Sequence, residues 1–220
     1  MMTLLLWLAW LCLPLWVWGQ ALPFPGPGAQ TYSGALATDN FNRANASPIG
    51  APWTTVTNMS AMAITSNTAV PSAYGSDCAA YNTSATWPAN QYAQVTIATT
   101  IPDGGAGQGH GPVVRASTSA QTMYILGVST GRGRYTVAKF NAGSYSTLVA
   151  DAVQAWAISD VVRLEVTGSG PVTLKVFRNG TQVGSDITDS SSVITTGNAG
   201  IGYTSTTTSG SVDNFEGGSL

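Results

Sequence analysis

Hydrophobic and polar residues alternate in many short stretches of this chain. In residues 91–99, Ala93, Val95 and Ile97 are separated by polar side chains, and Val and Leu repeat the pattern in 160–167 and 171–178. A period of two places the apolar side chains on one face of a β-strand. Further strands are predicted at 111–116, 122–128, 134–140, 181–183, 199–203 and 211–216. Because no stretch shows sustained helical periodicity, the pattern predicts an all-β domain.

Turn residues separate these strands. Asn179-Gly180 follows an alternating stretch and predicts a type I′ hairpin, since both central residues of that turn need a positive φ. Residues 184–190, which include Asp186 and Asp189, are predicted to form another turn. Roughly a dozen short strands in one domain indicate a two-sheet antiparallel β-sandwich of the jelly-roll kind.

The N-terminal segment predicts export from the cell. Residues 4–18 form an apolar run shorter than the roughly 20 residues of a spanning helix. Small residues near Gly19 suit signal peptidase, so we predict a signal peptide at 1–19 and a secreted, extracellular protein without membrane insertion after cleavage. No Lys or Arg precedes the run, which leaves a retained anchor and a misplaced start codon as alternatives. Residues 20–37 are predicted to be a Pro/Gly linker, and 38–220 a single domain.

The composition narrows the classes of partner. Charged residues make up 8% of the chain, against roughly 25% in a typical domain. The eight basic residues are scattered, so no basic patch for nucleic acid is expected. After cleavage Cys78 is the single cysteine and cannot form an internal disulfide. We expect it to be a small buried apolar residue.

Two similar segments frame the predicted domain. Asp39-Asn40-Phe41 stands near its start, ahead of Trp53, and Asp213-Asn214-Phe215 near its end. Between them come Val113-Val114-Arg115 and a later tyrosine strand around Tyr124. This order resembles the laminin G-like branch of the concanavalin A-like lectin/glucanase superfamily. The resemblance implies a jelly roll in which the first and last strands lie side by side and Trp53 packs in the core.

The resemblance also implies a structural calcium ion near the joined terminal strands. Calcium prefers carboxylate and carbonyl oxygens, and Asp39 and Asp213 would be the ligands. Since no dense Asp/Asn loop accompanies them, the alternative is that both segments are turns at strand ends. Apart from this calcium, no cofactor is required.

The catalytic machinery of the related enzymes is missing or incomplete. Glycosidases of this fold place two glutamates on one strand, because alternate residues share a face and hold two carboxylates at working distance. Glu165 and Glu216 are the only glutamates and lie far apart in the chain. A lyase would need Arg115, Tyr124 and Lys139, with His110 as a further base. We expect His110 to be a solvated loop residue between Gly107 and Gly111, and the chain to lack catalysis.

Sugar binding without catalysis requires fewer specific groups than an enzyme does. An exposed aromatic ring can stack on a sugar, and polar groups can bind its hydroxyls. The candidate ligand-binding residues are Arg115, Tyr124, Tyr135, Lys139 and Trp156, and the other aromatic residues considered as candidates for exposure are Trp87, Tyr92 and Tyr145. For each aromatic residue, core or edge packing is the favoured interpretation, and strand alternation gives relative faces only.

The sequence thus favours a secreted, non-catalytic carbohydrate-binding or adhesion module whose partner is a glycan or polysaccharide. One alternative is a structural component of a phage, a virion or a cell surface. The other is a polysaccharide lyase or atypical glycoside hydrolase acting through Arg115, Tyr124 and Lys139.

Overall fold

A computed structural model describes residues 34–204 and 209–220. The predicted signal peptide and most of the predicted linker lie outside these residues. Fifteen β-strands are present, and the described residues include no α-helix and therefore no helix long enough to cross a membrane. The strands are β1 Ala35–Asp39, β2 Trp53–Thr55, β3 Met62–Thr65, β4 Thr68–Pro71, β5 Cys78–Asn82, β6 Gln91–Ile97, β7 Gly109–Ala116, β8 Met123–Ser129, β9 Arg134–Asn141, β10 Ser144–Val153, β11 Val161–Thr167, β12 Val172–Arg178, β13 Thr181–Asp189, β14 Asn198–Thr204 and β15 Val212–Ser219.

The strands form two antiparallel sheets. Sheet A has the order β13-β12-β11-β6-β15-β4-β3, with β1 also paired to β15. Sheet B has the order β10-β9-β8-β7-β14-β5-β2. Strands distant in sequence are neighbours in both sheets, as in a jelly roll. The predicted two-sheet β-sandwich is confirmed.

The two ends of the domain meet in sheet A. Thr38 pairs with Glu216 and Asp39 with Phe215, so the first and last strands lie side by side as expected. Strand β1 begins at Ala35 and thus includes residues 35–37, which the sequence assigned to the linker.

Alternating side chains of both sheets fill the interior. On β11, Val162, Leu164 and Val166 are fully buried, and the apolar residues of β6 face them from the neighbouring strand. Trp53 packs between Phe41 and Phe215, with ring centroids 5.8 and 4.8 Å away, which confirms its predicted place in the core. Burial of each such side chain stabilises the fold by roughly 1.5–3 kcal/mol. Cys78 is also buried, as expected.

One predicted turn is correct and one is wrong. Asn179 and Gly180 adopt φ angles of 50° and 79° and join β12 to β13, as the hairpin pattern predicted. Residues 184–189 of the predicted turn instead form the second half of β13, because pairing with β12 resumes after a register shift between Leu174 and Val176. Gly184, with a φ of 70°, lies at that shift. Asp186 and Asp189 therefore belong to a strand.

Candidate functional site

The predicted calcium ligand Asp39 already has partners for both carboxylate oxygens. Arg43 donates to them at 2.7 and 3.0 Å, and Trp53 Nε1 donates to Oδ2 at 2.6 Å. Burial alone would raise the pKa of Asp39, but these donors and the backbone N–H of Phe41 outweigh it and hold the pKa below its usual value. Asp39 therefore fixes the junction of the terminal strands, and a guanidinium group stands where a cation would bind.

Asp213 does not complete a calcium site with Asp39. Its Oδ1 accepts from the backbone N–H of Asn214 at 2.7 Å, the turn chemistry considered as the alternative. The cavity beside Asp39 is lined by Asn40, Asn214 and Glu216, among others, but not by Asp213. Among the described residues, no group of three His, Cys, Asp or Glu side chains could hold a metal ion. The two predicted ligands, Asp39 and Asp213, thus do not form a calcium site together.

Arg115 is fully buried and binds backbone carbonyl groups. Its guanidinium donates to the oxygens of Ala89, Ile194 and Gly168 at 2.9, 2.6 and 2.7 Å. Three separate loops are thereby held together at one end of the sandwich. These bonds satisfy the buried charge without a ligand.

Tyr124 and Lys139, the other two residues of the hypothetical lyase, meet at Asp189. Tyr124 Oη donates to Asp189 Oδ2 at 2.8 Å, and Lys139 Nζ lies 2.9 and 2.8 Å from the two carboxylate oxygens. Lys139 Nζ also donates to the carbonyl of Ser191, and the N–H of Ile194 donates to Tyr124 Oη at 3.0 Å. Tyr124, Lys139 and Asp189 thus form one hydrogen-bond network. This network fastens the end of β13 and the segment after it to sheet B.

Tyr135 and Trp156 also lie inside the sandwich. Their rings pack edge to face with centroids 6.2 Å apart, and the Tyr135 hydroxyl lies against Gly184 of β13. Tyr124, Tyr135 and Trp156 therefore lie between the sheets, in agreement with the core-packing interpretation. Tyr92 faces outward from sheet A but is covered by Arg163, 4.3 Å above its ring. Trp87 is partly buried against the core.

His110 differs from its expected place in a solvated loop. It lies in β7 and is fully buried, packed edge to face on Tyr203 with centroids 5.8 Å apart. Neither ring nitrogen makes a hydrogen bond within the described structure. Burial lowers the pKa of His110 to about 4, and the nearby backbone of Gly210 opposes this only in part. A neutral, enclosed imidazole cannot reach a substrate.

The outer face of sheet B is apolar over part of its area. On β8, Tyr124 and Leu126 point into the sandwich, so Met123 and Ile125 point out. Outward-facing Val113, Ala138 and Phe140 join them in a second cluster, together with Val56 and Met59. Gly202 makes this packing possible: a Cβ atom there would lie 2.7 Å from Ile125 Cδ1 and 2.9 Å from Val113 Cγ2.

A cavity of about 440 Å³ opens beside this cluster. We call it the Tyr145 cavity, and it is lined by Asp77, Ala106, Gly107, Gln108, Tyr145, Thr147, Ala150, Asp151 and Thr204. Tyr145 and Thr147 pair with Phe140 and Ala138, whose side chains face outward, and so lie on the outer face of sheet B. Tyr145 is 43% exposed. It is the one aromatic ring among these lining residues and one of the aromatic candidates that the sequence analysis named.

Several contacts fix the position of Tyr145. Its ring packs on Phe140 with centroids 5.1 Å apart, and its hydroxyl donates to the carbonyl of Gly107 at 3.3 Å. Thr204 Oγ1 donates to the same carbonyl at 3.0 Å and accepts from the N–H of Gly109 at 3.1 Å. These bonds hold the segment before β7 beside β10. Burial, and then the negative charge of Asp77, raise the pKa of the Tyr145 hydroxyl, which keeps it protonated.

Carboxylates supply the charge of the Tyr145 cavity. Asp77 and Asp151 line it, and no Lys or Arg is among the lining residues. Arg132, from the turn before β9, donates to Asp151 Oδ2 at 2.6 Å and lies 3.4 Å from Asp103 Oδ1. Asp151 is thereby held in place with part of its charge balanced. The cavity therefore offers an aromatic ring, two carboxylates, of which that of Asp151 is held by Arg132, and the amide of Gln108.

The fold is that of known concanavalin A-like proteins. The carbohydrate-binding module CBM66 from Bacillus subtilis superposes with a TM-score of 0.52 over 74% of this chain and 94% of its own, at 22% identity. The carbohydrate recognition domain of Emp47p superposes with a TM-score of 0.51 over 87% of this chain and 100% of its own, at 11% identity. At these identities the likeness shows the fold alone, a concanavalin A-like jelly roll. The laminin G-like branch stays a prediction.

Comparison with protein-family models gives no match for the chain, and comparison with curated proteins gives none either. Its site must therefore be argued from its own residues. Sequence reasoning named Tyr145 among eight aromatic and polar candidates but missed Asp77, Gln108 and Asp151. These three lie in separate segments, and the exposed stretch of β10 was not predicted as a strand.

Proposed function

We propose that the chain is a secreted, non-catalytic carbohydrate-binding module and that its Tyr145 cavity receives the glycan. The observation that carries the proposal is an exposed tyrosine fixed at the wall of an outward-facing cavity, beside two carboxylates. A sugar ring can stack its C–H face on an aromatic side chain. Carboxylate and amide groups then accept or donate hydrogen bonds to its hydroxyls and set the orientation.

The two superposed structures support this proposal, since one is a carbohydrate-binding module and the other a carbohydrate recognition domain. The low overall charge supports it as well, because a hydroxyl-rich surface with 8% charged residues suits contact with neutral polymers. The predicted signal peptide supports a place outside the cell, where polysaccharides are met.

The test is a glycan array with the purified protein, with and without calcium. We expect binding to one class of glycan, unchanged by a chelator, since the predicted calcium ligands do not fit that ion. Tyr145→Ala should weaken this binding at least tenfold, while Tyr145→Phe should keep most of it because the stacking ring remains. Val153→Ala, a change at an even more exposed position of the same strand, is the matched control. A blank array, or a Tyr145→Ala variant that binds like the wild type, would refute the proposal.

A hydrolase is the second candidate function, because Asp77 and Asp151 line the same cavity. Glycoside hydrolysis uses a pair of carboxyl groups, one to donate a proton and one to activate water or attack the sugar. Its test is the release of reducing ends from any glycan bound on the array. Release that Asp77→Asn and Asp151→Asn both abolish would establish the hydrolase; binding without release would leave the module non-catalytic.

The three residues proposed for a lyase, Arg115, Tyr124 and Lys139, are not available on the surface of this fold. Arg115 is engaged by three carbonyls, and Lys139 and Tyr124 by Asp189, all within the interior. A uronate chain would have to displace these bonds to reach them.

A further inference from the structure

A second cavity, of about 580 Å³, lies beside the β3–β4 hairpin. We call it the Tyr74 cavity. It contains two of the most exposed large apolar side chains of the described residues, Tyr74 at 58% and Ile158 at 54%. Seven Ser and Thr residues also line it, among them Thr65, Thr99, Ser209 and Ser211, together with Val70, Ala98 and Gly210.

Hydrogen bonds order the walls of the Tyr74 cavity. Thr99 Oγ1 accepts from the N–H of Ser211 at 3.0 Å and lies 3.0 Å from Ser211 Oγ. The N–H of Ala98 donates to the carbonyl of Ser211, also at 3.0 Å. In the β3–β4 hairpin, Thr68 Oγ1 donates to the carbonyl of Thr65 at 2.9 Å. The walls thus present hydroxyl groups from fixed backbone positions.

The two cavities differ in charge. The Tyr145 cavity contains two carboxylates, whereas no Asp, Glu, Lys or Arg is among the residues lining the Tyr74 cavity. An uncharged lining of hydroxyls with an exposed aromatic ring suits a neutral sugar. No lining residue offers a positive charge to a uronate or sulfate group, so the removal of such a group from water would be compensated only in part.

Each cavity includes a residue close to the connection between β14 and β15. Thr204 lines the first cavity and Ser209 the second. Five peptide units separate these residues, so their Cα atoms are at most about 18 Å apart. One polysaccharide chain is long enough to bridge such a distance, and a second contact on the same chain raises the overall affinity through effective concentration.

We infer that the Tyr74 cavity is a second glycan contact, which binds an uncharged stretch of the polysaccharide held in the Tyr145 cavity. The inference rests on the proposed function, since the second contact extends the first. It makes the domain bivalent toward a polymer and monovalent toward a short oligosaccharide.

The experiment is native gel electrophoresis in gels that each contain one soluble polysaccharide. The neutral probes are a glucan, a xylan, a galactomannan and a fructan, and the anionic probe is polygalacturonate. Wild type, Tyr74→Ala, Tyr145→Ala and the double variant are compared, with Val153→Ala as the exposed-residue control. Tyr74 is largely exposed, so Tyr74→Ala should keep the wild-type melting temperature. Binding of a short oligosaccharide of the retarding polymer is measured in parallel by calorimetry.

The inference predicts that one neutral polymer retards the wild type. Tyr74→Ala should weaken polymer binding about tenfold or more and change oligosaccharide binding less than twofold, while Tyr145→Ala should weaken both. If Tyr74→Ala is retarded like the wild type and Tyr145→Ala is not, the second contact is wrong and the proposed function stands. If only polygalacturonate retards the protein, the neutral-ligand inference is wrong. If no gel retards the wild type, both proposals fail.

Discussion

Lys139 and Asp189 form an ion pair inside the sandwich, with Nζ 2.8 Å from Oδ2. Both side chains are almost fully enclosed, and Tyr124 shares the carboxylate. Burial would raise the pKa of Asp189, but the hydrogen bonds from Lys139 and Tyr124 outweigh it and hold the pKa below its usual value. The pair links β9 of sheet B to the end of β13 in sheet A.

Lys139→Met should therefore destabilise the domain strongly. The substitution leaves a carboxylate buried with no cation, a change that typically costs about 3–5 kcal/mol. Urea denaturation at neutral pH measures the loss. Lys175→Met is the matched control. Lys175 Nζ lies 3.5 Å from Oδ2 of Asp186, which belongs to β13 like Asp189, but this pair is half-exposed on the surface. That change should cost less than about 1 kcal/mol. Equal losses in the two variants would contradict the structural role of the buried pair.

The stability of the domain should fall as the pH drops from 6.5 to 4. The unfolded chain binds a proton at His110 near its ordinary pKa of 6.5, whereas burial keeps the folded imidazole neutral down to about 4. The unfolded state thus binds more protons in this range, so acid favours unfolding, by roughly 3 kcal/mol over the whole interval. Melting temperatures measured across this range test it. His110 is the only histidine, so His110→Leu should flatten the curve between these pH values. An unchanged slope in the variant would show that other groups cause the dependence.

Gly202→Ala should destabilise the outer face of sheet B. The added Cβ would lie 2.7 Å from Ile125 Cδ1 and 2.9 Å from Val113 Cγ2, both in a packed cluster. Such overpacking typically costs about 1–3 kcal/mol. Gly170→Ala is the control, because a Cβ there meets no atom within 4 Å. Chemical denaturation of both variants measures the difference. If Gly202→Ala is as stable as Gly170→Ala, the cluster is looser than its geometry indicates.

Asp39→Asn should weaken the junction of the terminal strands without any involvement of calcium. It removes the ion pair with Arg43 and weakens the bond from Trp53, for a loss of about 2 kcal/mol. Thermal unfolding with added calcium and with a chelator measures both effects. We expect the wild-type melting temperature to be the same in the two conditions. A rise with calcium in the wild type that Asp39→Asn abolishes would instead establish Asp39 as a ligand.

The fold was predictable because its signals are local. Alternation along β6, β11 and β12 and the Asn179-Gly180 turn predict strands and a hairpin from neighbouring residues alone. The resemblance to concanavalin A-like proteins, which begins from the Asp-Asn-Phe segments at both ends, implied that the first and last strands lie side by side, and β1 pairs with β15. The strands that were missed, β2–β5 and β10, are short or rich in small and polar residues, so no clear alternation marks them.

The site was not predictable in the same way. The sequence determined a low-charge β-sandwich and a set of aromatic candidates, because composition and strand alternation can be read directly from the order of residues. Only the tertiary structure decided which candidates are inside: Tyr124 and Tyr145 are both strand tyrosines, yet one faces the core and the other a cavity. Strand alternation fixes opposite faces but does not say which face the second sheet covers. Likewise, Asp77 and Asp151 lie 74 residues apart in the chain and come together in one cavity because separate strands and loops fold beside each other.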